Sequence, residues 1–168
     1  ECVCSSEHRL LRCLWLRVCC AVFPFMSHLN TIMKGEESEQ KFEDYQQWMS
    51  DPNEARIYTE SQHSGSIGPA ITLARKETER LANVRSLLDV GGGSGGFSMT
   101  LAAQFPQMSC TVMDFENVCA VGEDFLAKAD ADVAARVRFL PGNALTSELP
   151  GGQDAILLSY LCGSVPAD

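Results

Sequence analysis

The sequence predicts an α/β domain with a parallel sheet, on three observations. The apolar run Leu87, Leu88 and Val90 passes directly into a loop holding Gly91, Gly92, Gly93, Gly95 and Gly96, and the loop opens into an amphipathic segment. Two further strand patterns follow with a helix-like segment between them: Cys110–Asp114, and the alternating Val137 and Phe139 of a strand that ends in Pro141-Gly142-Asn143-Ala144. A fourth apolar run, residues 155–158, comes after the turn Pro150-Gly151-Gly152. Strands alternating with helical patterns indicate βαβ crossovers, which set parallel strands side by side. The right-handed crossover rule gives the expected order 3-2-1-4, with a switch point beside the glycine loop.

Residues 1–25 stand apart from this pattern. They hold Cys2, Cys4, Cys13, Cys19 and Cys20, five of the eight cysteines. Neither Cys2-x-Cys4 nor the Cys19-Cys20 pair has the spacing of a structural zinc site, so no metal is expected. Leu10 to Met26 is apolar but broken by Arg12 and Arg17, short for a membrane span and without a clean cleavage site. The expectation is therefore no membrane association and a cytoplasmic chain, with a secretory or membrane role for this stretch as the alternative. The chain starts at Glu1 without a methionine and stops soon after a strand, so both ends are expected to be cuts in a longer sequence.

Residues 26–83 read as a helical segment. Phe42, Tyr45, Trp48 and Met49 recur three or four apart and share a helix face, which suits core or a dimer contact. Asp51-Pro52-Asn53-Glu54 predicts a helix start, with Asp51 as N-cap, Pro52 at the first position and Glu54 reaching back as in a capping box. Ser61 to Ser66 reads as a polar break that carries His63, and Gly68-Pro69 as the opening of a further helix from Ala70 to Leu81.

Residues 84–168 hold the sheet. Ser94 is expected to cap the helix marked by Phe97, Leu101 and Phe105, which Pro106 ends. That helix would aim its free N–H groups at a ligand on the loop. A second helix is expected from Asn117 to about Ala131, through Val118, Val121, Phe125 and Leu126. Three crossovers and four strands result, and Ile156 and Leu158 are expected on an uncovered edge that leaves these residues marginally folded alone.

Two glycine signatures fit the loop: Gly91-x-Gly93-x-x-Gly96, as in dinucleotide sites, and Asp89-x-Gly91-x-Gly93-x-Gly95, as in methyltransferases. Asp89 favours the second, because a carboxylate at the strand end repels pyrophosphate but suits the ammonium and sulfonium of S-adenosylmethionine. Its alternative role is to hold the loop backbone. Asp114 ends the next strand roughly 20 residues past the loop, where a ribose diol is recognised. The net charge of −9 disfavours nucleic acid or an anionic membrane as the main partner.

LLDVGGGSGG, the strand end at Asp114, RVRFLPGNA and GGQDAILLSYL, in this order and spacing, resemble the small-molecule O-methyltransferases related to plant caffeate and animal acetylserotonin enzymes. The stretch from Tyr45 to Ala74 resembles that family's helical connection into its catalytic domain. The resemblance covers roughly Met26 to Asp168. It implies a Rossmann-like sheet, here partial, about four parallel strands preceded by a helical segment. It further implies S-adenosyl-L-methionine as donor, a small aromatic or polyketide-like acceptor, and a homodimer. Carried over by position, Gly91 and Gly93 would face the methionyl part, with Gly95 in the same loop. Asp114 would face the ribose, and Asn143, where the family has aspartate, the adenine amine.

The family's LSxxLHDW pattern, whose histidine is the general base, is here Leu158-Ser159-Tyr160-Leu161-Cys162-Gly163-Ser164-Val165. Gly163 falls on the base position and cannot take a proton. His63 is the substitute weighed for that role, against a structural part in its polar loop. Cys162 and Tyr160 are candidates by nearness alone. Two other classes stay open at this stage: an NAD(P)-dependent oxidoreductase using the same glycines and Asp114, and a non-catalytic cofactor binder that lacks the base.

Overall fold

The computed structural model describes residues 45–161, which belong to one compact unit. The amino-terminal cysteines, the apolar residues 10–26, Phe42, Cys162 and Gly163 lie outside the described residues. The elements run α1 (Tyr45–Met49), α2 (Pro52–Lys76), α3 (Thr78–Leu81), β1 (Ser86–Val90), α4 (Gly96–Gln104), β2 (Ser109–Asp114), α5 (Glu116–Leu126), α6 (Ala131–Ala134), β3 (Val137–Pro141) and β4 (Ala155–Leu157).

All four strands are parallel, in the order β3-β2-β1-β4. This is the order the crossover rule predicts. The steps from β1 to β2 and from β2 to β3 move the same way across the sheet, so right-handedness puts α4 and α5 on the same face. Leu87, Cys110, Val112 and Val137 point to that face and form the main core with Leu101, Ala102 and Phe105 of α4 and Ala74 of α2. On the opposite face Leu88, Val90 and Met113 pack with Ala144 and Leu161. The return from β3 to β4 contains turns rather than the expected third crossover helix. Asp154 ends that return, and its Oδ2 accepts the N–H groups of both Arg85 and Ser86 at 2.9 Å, joining the starts of β4 and β1. Ile156 and Leu158 are exposed, as an edge strand implies.

The expected break at Ser61 to Ser66 is not present. α2 is one helix of 25 residues with Pro69 inside it. Three of its hydroxyls bond back to the helix's own carbonyls: Ser61 donates to Tyr58 O at 2.6 Å, Ser66 to His63 O at 2.7 Å, and Thr72 to Gly68 O at 3.0 Å. Ala55, Thr59, Ala70 and Ala74 line its buried face, and these small side chains let α2 lie close to the rest of the fold. Burial of that face, rather than propensity, carries the helix through Gly65, Gly68 and Pro69. Pro69 and Gly65 both sit on the exposed side, so the Gly65 carbonyl left without a helical donor is open to water. Pro69→Ala is expected to raise the unfolding free energy by about 2 kcal/mol. A urea midpoint that does not move would show that the proline is accommodated without cost.

Other boundaries differ in smaller ways. Asp51 caps α2 as expected, its Oδ1 accepting Asn53 N at 2.8 Å and Glu54 N at 3.1 Å. Glu54 does not close a capping box; its carboxylate accepts Trp48 Nε1–H at 3.4 Å. α5 ends at Leu126, a turn follows, and the short α6 begins at Ala131. The stripe of Tyr45, Trp48 and Met49 is core: Met49 is buried with Ala55 and Val118, against Tyr45, Trp48, Tyr58 and Phe115.

Candidate functional site

The site opens at the carboxyl ends of β1, β2 and β3, where the glycine loop links β1 to α4. Gly91, Gly93 and Gly95 have φ of 68°, 58° and 73°, in the left-handed region. The space beside each glycine sorts them. A Cβ on Gly91 would lie 2.8 Å from Leu161 Cδ1, one on Gly92 2.7 Å from Asp89 Cγ, and one on Gly95 2.8 Å from Phe139 Cζ. A Cβ on Gly96 would strike Ser66 Oγ. These four glycines allow the loop to pack on the protein. At Gly93 nothing lies within 4 Å of that position, so its backbone faces open space.

Ser94 does not cap α4. Gly95 is the N-cap, without a side-chain hydrogen bond, and Ser94 Oγ instead shares a 2.8 Å hydrogen bond with Nδ1 of His63. His63 is therefore on a helix, not in a loop, and its ring stacks on Phe125 with centroids 3.8 Å apart.

Asp114 is brought to the loop. Its Oδ2 accepts Gly93 N–H at 2.8 Å and its Oδ1 accepts Phe115 N–H at 2.8 Å. Burial raises its pKa, and these two N–H groups oppose the rise. Each oxygen keeps a further lone pair for a ligand hydroxyl. Asn143 lies past β3; its Oδ1 accepts Leu145 N–H at 2.9 Å and its Nδ2 donates to Gln46 Oε1 at 2.8 Å.

Asp89 is placed differently from Asp114. It is 0% exposed and lies beneath the loop, where its Oδ2 accepts the Ser98 hydroxyl at 2.8 Å. It presents no surface to the crevice. Its Oδ1 has no hydrogen-bond partner among the described residues. Burial pushes the Asp89 carboxyl up to about 7, the Ser98 bond opposes this, and the Asp114 charge adds to it.

The sign of the resulting pH dependence follows. The folded state holds the Asp89 proton over the window from about pH 4, where an unfolded aspartate loses it, to about 7. Stability is therefore full below that window and falls as pH rises through it. Asp89→Asn is expected to flatten the fall, seen as a smaller loss of urea midpoint than wild type between acid and neutral pH. Equal losses in the two proteins would place the titrating group elsewhere.

Two features were not singled out from the sequence. Ser98, which holds Asp89, follows from the helical register of α4 and could have been read from it. The aromatic group of Tyr45, Trp48, Tyr58 and Phe115, with ring centroids 5.0 to 6.1 Å apart in its contacting pairs, gathers beside Asp114 from the neighbouring helices α1 and α2 and from the residue after β2. Tyr45 and Trp48 had their shared helix face and Phe115 its place next to Asp114; Tyr58 had no signal, and nothing local joined the four. Among the described residues no group of His, Cys, Asp or Glu is arranged to hold a metal ion. No helix among them is long and apolar enough to cross a membrane.

Comparison with known proteins fits this geometry. The chain is 37% identical over 81 residues to 3-hydroxy-5-methyl-1-naphthoate 3-O-methyltransferase of Streptomyces sahachiroi, a match over 48% of this chain and 23% of that protein. It is 34% identical over 89 residues to 5-pentadecatrienyl resorcinol O-methyltransferase of Sorghum bicolor, covering 53% of this chain and 21% of the relative. The chain thus spans about a fifth of the length of the curated relatives it matches. Among solved structures, an O-methyltransferase from neocarzinostatin biosynthesis, in complex with S-adenosylmethionine and 2-hydroxy-5-methyl naphthoic acid, superposes with a TM-score of 0.58. That match has 19% identity and covers 81% of this chain and 41% of the other, which shows the shared Rossmann-like fold. The O-methyltransferase domain model matches residues 34–163, most of the chain and the whole of the glycine loop and sheet. Of the two signatures that the loop could satisfy, the match selects the methyltransferase one: the chain belongs to the O-methyltransferase domain family.

Proposed function

We propose that this chain carries the donor-binding half of an S-adenosylmethionine-dependent O-methyltransferase acting on a small aromatic or polyketide-like hydroxyl compound. The observation that carries the reading is the pairing of Gly93 and Asp114. An open left-handed glycine gives a ligand access to backbone. The carboxylate bonded to its N–H keeps a lone pair on each oxygen for the two ribose hydroxyls.

The residues fit the cofactor in kind. Gly91, Gly93 and Gly95 would form the cradle for its methionyl part, Asp114 would hold the ribose, and Asn143 would meet the adenine amine with its amide oxygen. Asp89 supports the cradle from below through Ser98. S-adenosylmethionine supplies an electrophilic methyl group that an acceptor oxygen attacks in line. This chain's contribution is to fix the donor and so remove the entropic cost of alignment. Deprotonation of the acceptor is assigned to no described residue.

The aromatic acceptor rests on the naphthoate and resorcinol enzymes among the relatives. The homodimer implied by the family resemblance is a further part of the proposal, and sedimentation of the chain tests it. Calorimetric titration with S-adenosylhomocysteine and, separately, NADH tests the central claim. Binding of the first and not the second is expected; the reverse would return the glycine loop to dinucleotide chemistry.

A further inference from the structure

One turn of α2, from His63 to Ser66, meets the glycine loop at two points. Ser66 Oγ occupies the space a Gly96 side chain would need, and its hydroxyl donates to His63 O at 2.7 Å. His63 Nδ1 shares its 2.8 Å hydrogen bond with Ser94 Oγ. Ser94 is buried and sits between two left-handed glycines, Gly93 and Gly95. A residue so flanked gains little rigidity from its neighbours. The hydrogen bond to His63 supplies an anchor from outside the loop.

The imidazole is itself held. Its ring lies nearly flat on Phe125, with 12° between the planes. Burial, and then the charge of Lys128 over the same phenyl ring, holds His63 below its ordinary pKa. Both the ring plane and the nitrogen nearest the loop are thus engaged by protein groups.

We propose that His63 is a positioning residue for the glycine loop, not a general base. It fixes Ser94, and through Ser94 the backbone of Gly93 and Gly95, in the conformation that accepts the donor. This rests on the cofactor reading above, and deepens it by giving α2 a part in donor affinity. Proton transfer from the acceptor has no place in this role.

Asparagine and glutamine separate the two roles, because an asparagine amide reaches about as far as Nδ1 and a glutamine amide about as far as Nε2. Affinity for S-adenosylhomocysteine is expected to fall about tenfold in His63→Ala and in Ser94→Ala, with no further loss in the double variant. His63→Asn is expected to restore most of it, and His63→Gln is not. Hydrogen exchange in the ligand-free protein gives a second readout. The Gly93 and Gly95 amides, bonded to Asp114 and to Gly92 O, exchange faster in His63→Ala and return toward wild type in His63→Asn. Additive losses, an asparagine no better than alanine, or exchange unchanged in His63→Ala would overturn the proposal. If the wild-type chain does not bind S-adenosylhomocysteine, the cofactor reading fails, and the exchange comparison still decides whether His63 holds the loop.

Discussion

Asp114→Ala is expected to weaken S-adenosylhomocysteine binding by about a hundredfold or more, since hydrogen bonds to a charged group contribute about 1.5–3 kcal/mol each. Two losses combine. The alanine cannot accept from ribose hydroxyls, and it leaves the N–H groups of Gly93 and Phe115 without their acceptor, so Gly93 loses its side-chain tie to the end of β2. Asp114→Asn separates these losses in part. One amide oxygen can still accept one of the two N–H groups, while the amide nitrogen turns a donor toward the other. Its affinity is expected between wild type and alanine. Titration calorimetry reads both variants, and an Asp114→Ala chain that binds within about threefold of wild type, well under one charged hydrogen bond, would remove Asp114 from ribose recognition.

The second large effect lies in packing. Phe139 of β3 fills a space left by two glycines: a Cβ on Gly95 would sit 2.8 Å from its Cζ, and a Cβ on Gly122 of α5 would overlap its ring edge. Gly122→Val is expected to destabilise the fold by about 3 kcal/mol, at the upper end of overpacking costs, because the clash is with a ring wedged between two backbones. Denaturant unfolding measures it. Phe139→Ala, itself destabilising through a cavity, is expected to make the added Gly122→Val nearly neutral or favourable. If the two changes simply add, the ring and the helix are not in the contact described.

These two sites show what was legible beforehand and what was not. The strand, glycine loop and helix from Ser86 to Gln104 could be read because each signal is local: an apolar run, glycines, and an apolar repeat stopped by Pro106. Strand order followed from crossover handedness taken with a switch point beside the glycine loop. Asp114 was legible by its distance from the loop. α2 was misread because Ser61, Ser64, Gly65 and Pro69 look like breakers one residue at a time. The back-bonds of Ser61 and Ser66 and the burial of Ala55, Ala70 and Ala74 hold the helix together across this stretch. Ser94 was misread for the same reason, since a cap is a local partner and His63, 31 positions earlier, is not. The depth of Asp89 could not be inferred either. Acidic residues at strand ends usually meet solvent, but alternation along β1 puts Asp89 on the side of Leu87, where α4 covers it.

The unbroken α2 has a mechanical consequence. At 25 residues it is a rod about 37 Å long, with Ala55 and Tyr58 in the aromatic group at one end and Ala74 in the main core at the other. Between these ends it carries His63 and Ser66 onto the glycine loop. A hinge at Ser61 to Ser66 would have absorbed any displacement of the Tyr58 end before it reached the loop. A stiff rod transmits it, so strain applied to the aromatic cluster is delivered to the turn that touches Ser94 and Gly96.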